Sequence, residues 1–288
     1  MFQKIKIILN NLLLKFRNFL LNVNSLEFDS KLTINNIKET IIKKGLPSYI
    51  LDGYKVYSQN DEDGIINSIF NDIGVTNKLF CEIGIGDTVE NNTHNLLLND
   101  WTGLWIDING KHIKKLKKKI SKNQNKLDFI INKITPTNIN QFIISSEKIR
   151  KNNEIDFFSI DIDSYDLQCL EQLDAITPRL ICVEYNSKIR QNIKLKINEI
   201  KNFKWEYDDY FGSSLLSINS IMDKKGYKLV ATNITGSNAF YVKKELSVLT
   251  KTNNQNIKDL YSPPNFELFN FNVTHAPTNK YLINKLNE

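Results

Sequence analysis

From Lys78 to Asn186 the chain alternates short, near-continuous apolar runs with longer segments of mixed polarity. The runs are LFCEI (79–83), GLWID (103–107), LDFII (127–131), IDFFSIDID (155–163) and RLICVEYN (179–186). Runs without a polar alternate face are buried on both sides, which is the habit of a parallel sheet. The segments between them read as helices, including one over 138–149 and one from Tyr165, so the pattern predicts helices covering both faces. The end of the chain differs. GYKLVATN (226–233) and SNAFYVKK (237–244) are separated only by ITG, which predicts an antiparallel hairpin at the sheet edge. The expected fold is α/β, with a seven-stranded, mostly parallel sheet.

Ahead of the sheet, Tyr57 to Gly74 carries an apolar stripe of Ile65, Ile66, Ile69, Phe70 and Ile73, with Gly74 as its stop. Its polar head, Gln59, Asn60, Asp61, Glu62 and Asp63, reads as a ligand-facing lip or as the solvated start of a helix. Residues 1–23 place Ile5, Ile8, Leu12, Phe16, Phe19 and Val23 on one helical face, opposite Lys4, Asn11, Lys15, Asn18 and Asn22. The interspersed Lys and Asn keep this stretch from being a membrane span, and it has no small-residue cleavage site. It is expected to pack on the domain or on a second copy, or else to lie on an anionic membrane surface. The expected partition is a helical appendage over 1–50, one domain over 51–250 and a packing tail over 251–288.

At 288 residues and 41% hydrophobic content the chain can bury one full core. The net charge of +6 is dispersed except in KHIKKLKKKI (111–120), where Ile113, Leu116 and Ile120 make an amphipathic helix with a wet basic face. That face is not expected to bind nucleic acid. Cys81, Cys169 and Cys182 are unclustered in apolar segments, which points to reduced core thiols in a cytoplasmic protein, associated if at all with the inner face of a membrane.

Candidate chemistry begins at LFCEIGIGD (79–87). Gly84 and Gly86 allow a sharp turn at the mouth of the sheet, and the acids Glu82, Asp87 and Glu90 crowd it before the helix of NNTHNLLLND, where Asn91, Asn92 or Thr93 lies near the cap. A carboxylate about 5 Å from a pyrophosphate costs roughly 3 kcal/mol at an effective dielectric near 20. A dinucleotide is therefore disfavoured, the more so because Val89 stands where its fingerprint wants a third glycine. A cationic ligand such as S-adenosylmethionine is favoured. Asp107 ends the next strand, where nucleotide folds place a ribose-binding acid. Asn132 to Thr137 follow the third strand and are candidates for a base contact by position.

A second constellation lies at the ends of the fourth and fifth strands. Alternation puts Asp161 and Asp163 on one side, and Glu184 and Asn186 likewise share a side on the neighbouring strand. Such an oxygen-only set suits Mg²⁺ or Mn²⁺. Alternatively Asp163 or Ser164 caps the helix at Tyr165, or one acid serves as a general base without a metal. His94 is a further candidate for a base or a cofactor contact, against a structural role. In NFKWEYDDYFGSS (202–214), Trp205, Tyr207, Asp208, Asp209 and Tyr210 combine aromatic faces with carboxylates, a way to hold a sugar or to pack a loop.

Taken in order, SQNDEDG, FCEIGIGD with ENNTHNL, GLWIDIN, FFSIDIDSYD, ICVEYN, WEYDDYFGSSL and GYKLVATNITGSNAFYV resemble the FkbM-like S-adenosylmethionine-dependent methyltransferases of bacterial surface-glycan and natural-product clusters. The resemblance runs from Tyr57 to Lys244. It implies a Rossmann-like class I methyltransferase fold and O-methylation of a hydroxyl or phosphate-linked oxygen on a sugar or glycan precursor. The expected cofactor contacts are Gln59, Asp63, Glu82, Gly84, Gly86, Asp87, Asn92, Thr93, Asp107, Ile108 and Asp161. Asp161, Asp163 and His94 are the catalytic candidates. Asp161, Asp163, Glu184 and Asn186 are the metal candidates, and Trp205, Tyr207, Asp209 and Tyr210 the substrate candidates. Ser164 departs from the glycine usual in the family's aspartate motif. The rival readings are a nicotinamide oxidoreductase and a non-catalytic partner- or membrane-binding module.

Overall fold

Each apolar run becomes a strand because it has a hydrophobic layer to meet on both sides. The computed structural model describes residues 23–122, 124–197, 208–269 and 278–288. The amphipathic pattern over residues 1–22 lies outside them, as do Trp205 and Tyr207. Helix α1 (Val23–Lys44) is joined through a short 3-10 turn (Tyr49–Asp52) to α2 (Glu62–Ile73). The chain then alternates through β1 (Leu79–Ile83), α3 (His94–Leu98), β2 (Thr102–Asp107), α4 (Gly110–Lys117), β3 (Leu127–Ile131), α5 (Ile139–Ser145), β4 (Glu154–Ile160), α6 (Asp166–Gln172) and β5 (Thr177–Glu184). It closes with α7 (Leu215–Lys224), β6 (Tyr227–Thr232), β7 (Asn238–Lys243), α8 (Lys244–Ser247), α9 (Ile257–Leu260) and α10 (Lys280–Asn287).

The strands form one sheet in the order β3-β2-β1-β4-β5-β7-β6. β1 to β5 run parallel, while β7 is antiparallel to both β5 and β6. This is a Rossmann-like, doubly wound topology, with the hairpin at the edge as predicted. Alternate side chains divide the core in two. Cys81, Leu104, Phe158 and Ile181 face α5, α6 and α7. Phe80, Trp105, Phe157 and Cys182 face α2, α3, α4 and α10. All three cysteines are free and buried. Leu282 and Leu286 of α10 join the second layer, so the described part of the tail packs on the sheet's helices. Among the described residues, no helix is long and apolar enough to cross a membrane.

Two strand ends differ from the sequence pattern, and both lie at the site. The run 155–163 was expected to stay extended to Asp163, yet β4 ends at Ile160. Asp161 makes a last ladder bond, N–H to the Ile83 carbonyl at 3.0 Å, and Asp163 then enters the left-handed region at φ 56°. The run 179–186 likewise leaves the sheet at Glu184, because Tyr185 and Asn186 donate their N–H groups to Ser237 and Ser213. Simple alternation therefore does not govern Asp163 or Asn186.

Candidate functional site

A cavity of about 1330 Å³ opens at the carboxyl ends of β1, β2, β4 and β5, where open α/β sheets bind ligands. The glycine turn forms its floor. Gly84 has φ 89°, and a Cβ there would sit 1.6 Å from the Asp161 carbonyl oxygen, so only glycine lets β1 and β4 close together at this point. Gly86, at φ 58°, donates its N–H to Asp107 Oδ2 at 3.0 Å, and Asp107 Oδ1 accepts from Asn109 N–H at 2.6 Å. Asp107 thus reaches the cavity from the end of β2, as predicted, while tying two loops together.

The other acids beside the turn are occupied in the same way. Asp87 accepts from the N–H groups of Val89 and Glu90, and Glu90 pairs with Lys55 at 2.8 Å. Glu82, only 3% exposed, accepts from Asn92 N–H at 2.8 Å, Thr93 N–H at 3.0 Å and the Thr93 hydroxyl. Burial pushes its carboxyl up to about 7, against the opposing pull of those hydrogen bonds. Glu82 borders the cavity, but its oxygens satisfy free N–H groups leading into α3. Gln59, Asn92 and Ile108 also border it, with Ile108 66% exposed, and Asn92 donates to Ser159 Oγ at 3.0 Å. Asn132, Lys133 and Ile134 supply the wall after β3.

Several expected contacts turn away. Asp63 accepts from the N–H groups of Val56, Tyr57 and Ser58 at 2.7–2.8 Å and folds that loop. Thr93 is fully buried between Glu82 and Trp105 Nε1, which donates to its hydroxyl at 2.7 Å. Neither lines the cavity. His94, expected as a catalytic candidate, also turns away from the cavity. Its ring stacks on Tyr57 at 3.9 Å, its Nδ1 lies 3.0 Å from the Val89 carbonyl, and it does not border the cavity. Burial pushes its pKa down to about 4, so it is neutral at pH 7. The polar head of α2 forms a lip only at Gln59 and Asn60. Glu62 is buried instead, accepting from Asn60 N–H at 2.7 Å and from the side-chain amides of Asn233 and Asn238 at 2.7 and 2.9 Å.

Asp161, Asp163 and Glu184 come together. One carboxylate oxygen from each lies within 4.8 Å of the others. At that spacing each pair of charges repels by ~3.5 kcal/mol at an effective dielectric near 20. Burial, followed by the neighbouring acids, holds the carboxyls of Asp161 and Glu184 well above the usual range, and burial raises Asp163. Glu184 Oε2 is buried and has no hydrogen-bond partner. The helix-cap alternative is not seen: Tyr165 is the N-cap residue of α6 and makes no side-chain cap bond, while Asp166 accepts from the N–H groups of Ile162 at 2.9 Å and Ser164 at 3.1 Å in the loop before it.

Asn186 does not join the triad. It is 2% exposed and donates Nδ2 to the carbonyls of Asp209 at 2.9 Å and Phe211 at 3.2 Å, while Oδ1 accepts from Lys188 N–H. Its side chain thereby clamps the loop beside the acids. Asp209 lines the cavity, whereas Tyr210, 44% exposed, does not. Lys188, Phe211, Ser237, Asn238 and Phe266 line it as well, and the sequence reading did not include them. Only Asn238 carried a usable signal: pairing the hairpin against RLICVEYN puts it opposite Glu184.

The oxygen-only donor set and the orphaned Glu184 Oε2 fit a hard divalent cation. A cationic cofactor fits the turn, since nine carboxylates and two lysines line the cavity and leave it net acidic.

No known family profile matches the chain, and no curated protein matches it. Among solved structures it is similar to the antibiotic-resistance methyltransferase Kmr, at 9% identity and TM-score 0.37, over 62% of this chain and 93% of that one. It is also similar to TrmK of M. capricolum in complex with S-adenosyl-homocysteine, at 13% identity and TM-score 0.33, over 62% and 65%. A third is a 16S rRNA adenine methyltransferase of Catenulisporales acidiphilia, at 9% identity and TM-score 0.35, over 65% and 97%. These are distant likenesses that say nothing of this chain's activity.

Proposed function

We propose that the chain is an S-adenosylmethionine-dependent O-methyltransferase whose acceptor is held beside a divalent cation, Mg²⁺ or Mn²⁺. The observation that carries this reading is the convergence of Asp161, Asp163 and Glu184 in the same cavity as the Gly84–Gly86 turn. The turn and Asp107 hold the donor side, and the strand ends of β4 and β5 form the acceptor side. When bound, the cofactor supplies an electrophilic methyl group on a sulfonium. The chemistry of the metal is to neutralise the three carboxylates and lower the pKa of a bound hydroxyl.

The protein's own residues supply orientation and a proton acceptor. Without a cation the triad must share a proton, because three half-buried carboxylates this close do not all ionise. A carboxylate freed of that proton stands within reach of the acceptor hydroxyl and can take its proton as the new O–CH₃ bond forms. Gly84 brings the Asp161 backbone against the turn, which sets donor and acceptor sides at a fixed separation and favours an in-line approach. The motif resemblance to the FkbM-like enzymes supports a sugar or glycan precursor as acceptor. The free buried cysteines support a cytoplasmic protein, and the amphipathic pattern of the first 23 residues supports a peripheral membrane contact or an oligomer contact.

Calorimetry with S-adenosylhomocysteine tests the donor side, and Mn²⁺ titration tests the triad. Binding of NAD in place of S-adenosylhomocysteine would overturn the methyltransferase assignment. Full turnover after dialysis against EDTA would remove the metal from it.

A further inference from the structure

We propose that Lys188 recognises an anion on the acceptor, so that the methylated molecule carries a phosphate near its reacting hydroxyl. This rests on the methyltransferase reading and specifies its substrate class. Lys188 lies four residues beyond Glu184, on the turn that follows β5, and lines the same cavity. Its backbone is pinned. Its N–H donates to Asn186 Oδ1 at 3.2 Å, the next N–H, that of Ile189, donates to the Asn186 carbonyl at 3.1 Å, and the Ser187 carbonyl accepts from Tyr261 Oη at 2.6 Å.

Lys188 is exposed on this turn. Among the described residues it makes no ion pair or side-chain hydrogen bond, although the triad on the same wall holds the least compensated acids of the cavity. The acids around the glycine turn show the opposite habit, each taken up by N–H groups or, for Glu90, by Lys55. Lys188 is therefore not the triad's counter-ion. The other lining lysine, Lys133, follows β3, and four strand spacings separate β3 from β5, about 19 Å. The two lysines thus stand at opposite ends of the lining. A single ammonium on the acceptor wall, in a cavity that Ser237 also lines, suits a phosphate ester with neighbouring hydroxyls, while the Asn238 amide stays with Glu62.

The test uses the full chain saturated with S-adenosylhomocysteine, in EDTA so that no metal carries the phosphate. Glucose, glucose 1-phosphate and uridine 5′-diphosphate are titrated by calorimetry. The wild type is expected to bind at least one of the two phosphorylated probes tenfold or more tightly than glucose. Lys188→Gln is expected to lose that preference, and Lys133→Gln to keep it. Preference for the monoester points to a free sugar phosphate, and preference for the diphosphate to a nucleotide-linked donor of the same chemistry. Equal binding of phosphorylated probes by wild type and Lys188→Gln overturns the proposal, as does a wild type that does not prefer phosphate. So does a tenfold rise in Mn²⁺ affinity in Lys188→Gln, titrated separately without EDTA, which would make the lysine a counter-ion after all. S-adenosylhomocysteine binding is read first in the same samples. Its failure would count against the methyltransferase reading, while the glucose comparison still decides the role of Lys188.

Discussion

The two ends of the cavity use the same side chain in opposite ways. On the donor side, Glu82, Asp87 and Asp107 are hydrogen-bonded by backbone N–H groups and hold loops in place. On the acceptor side, Asp161, Asp163 and Glu184 face one another, and one oxygen is left with no partner. A carboxylate that accepts several N–H bonds stabilises the fold, whereas one that meets only other carboxylates costs stability until a cation arrives. The sequence marks both sets alike as acids near strand ends. Their partners separate architecture from chemistry.

The sharpest way to break this contrast is at the place where the two sides touch. Gly84→Ala drives a methyl group into the Asp161 carbonyl, and backbone on both sides must move. The expected loss is about 4 kcal/mol or more, read as a collapse of the thermal midpoint. A variant that melts within a few degrees of wild type would show that the two strand ends are not closely joined.

Next come the triad substitutions. Asp161→Asn and Glu184→Gln should each remove Mn²⁺ binding and turnover while raising the stability of the metal-free protein by ~1–3 kcal/mol, because a repelling charge is gone. Glu82→Gln should do the reverse, costing ~1–3 kcal/mol as an amide NH₂ meets backbone N–H donors, with Mn²⁺ affinity unchanged. Denaturant melts beside metal titrations read both halves. If Asp161→Asn is the less stable protein, the triad is structural.

A smaller effect follows from pH. The buried carboxyls of Asp61, Glu82 and Asp166 have pKa values raised to about 8, 7 and 6, chiefly by burial. A group whose folded pKa lies above its unfolded value contributes stability that is fully present below the unfolded pKa and is lost as pH rises through the folded one. Metal-free protein should therefore melt at a higher temperature at pH 5 than at pH 8.5. A midpoint that rises over this interval would show these acids to be ionised and well solvated. The smallest effect is expected at His94. His94→Phe keeps the stack on Tyr57 and loses one hydrogen bond, worth ~1 kcal/mol, with S-adenosylhomocysteine affinity within twofold of wild type. A larger loss of affinity would return the histidine to the site.

Local pattern determined much of this protein. A strand buried on both faces has no polar alternate, so LFCEI could be read to the residue, as could the apolar run LDFII at the sheet edge. A three-residue link fixed the hairpin, and Gly84 and Gly86 marked the turn because their backbone needs positive φ. Tertiary contact decided what each polar group does. Asp63, Thr93 and His94 sit in the right part of the sequence but turn inward, since unpaired N–H groups and aromatic neighbours claim them there. Asn186 follows a strand that has already ended, so its amide clamps a loop rather than joining Glu184. Lys188 had no periodicity to announce it. Hydrophobic periodicity is a property of neighbours along the chain, whereas a hydrogen-bond partner or a missing counter-charge is set by residues tens of positions away.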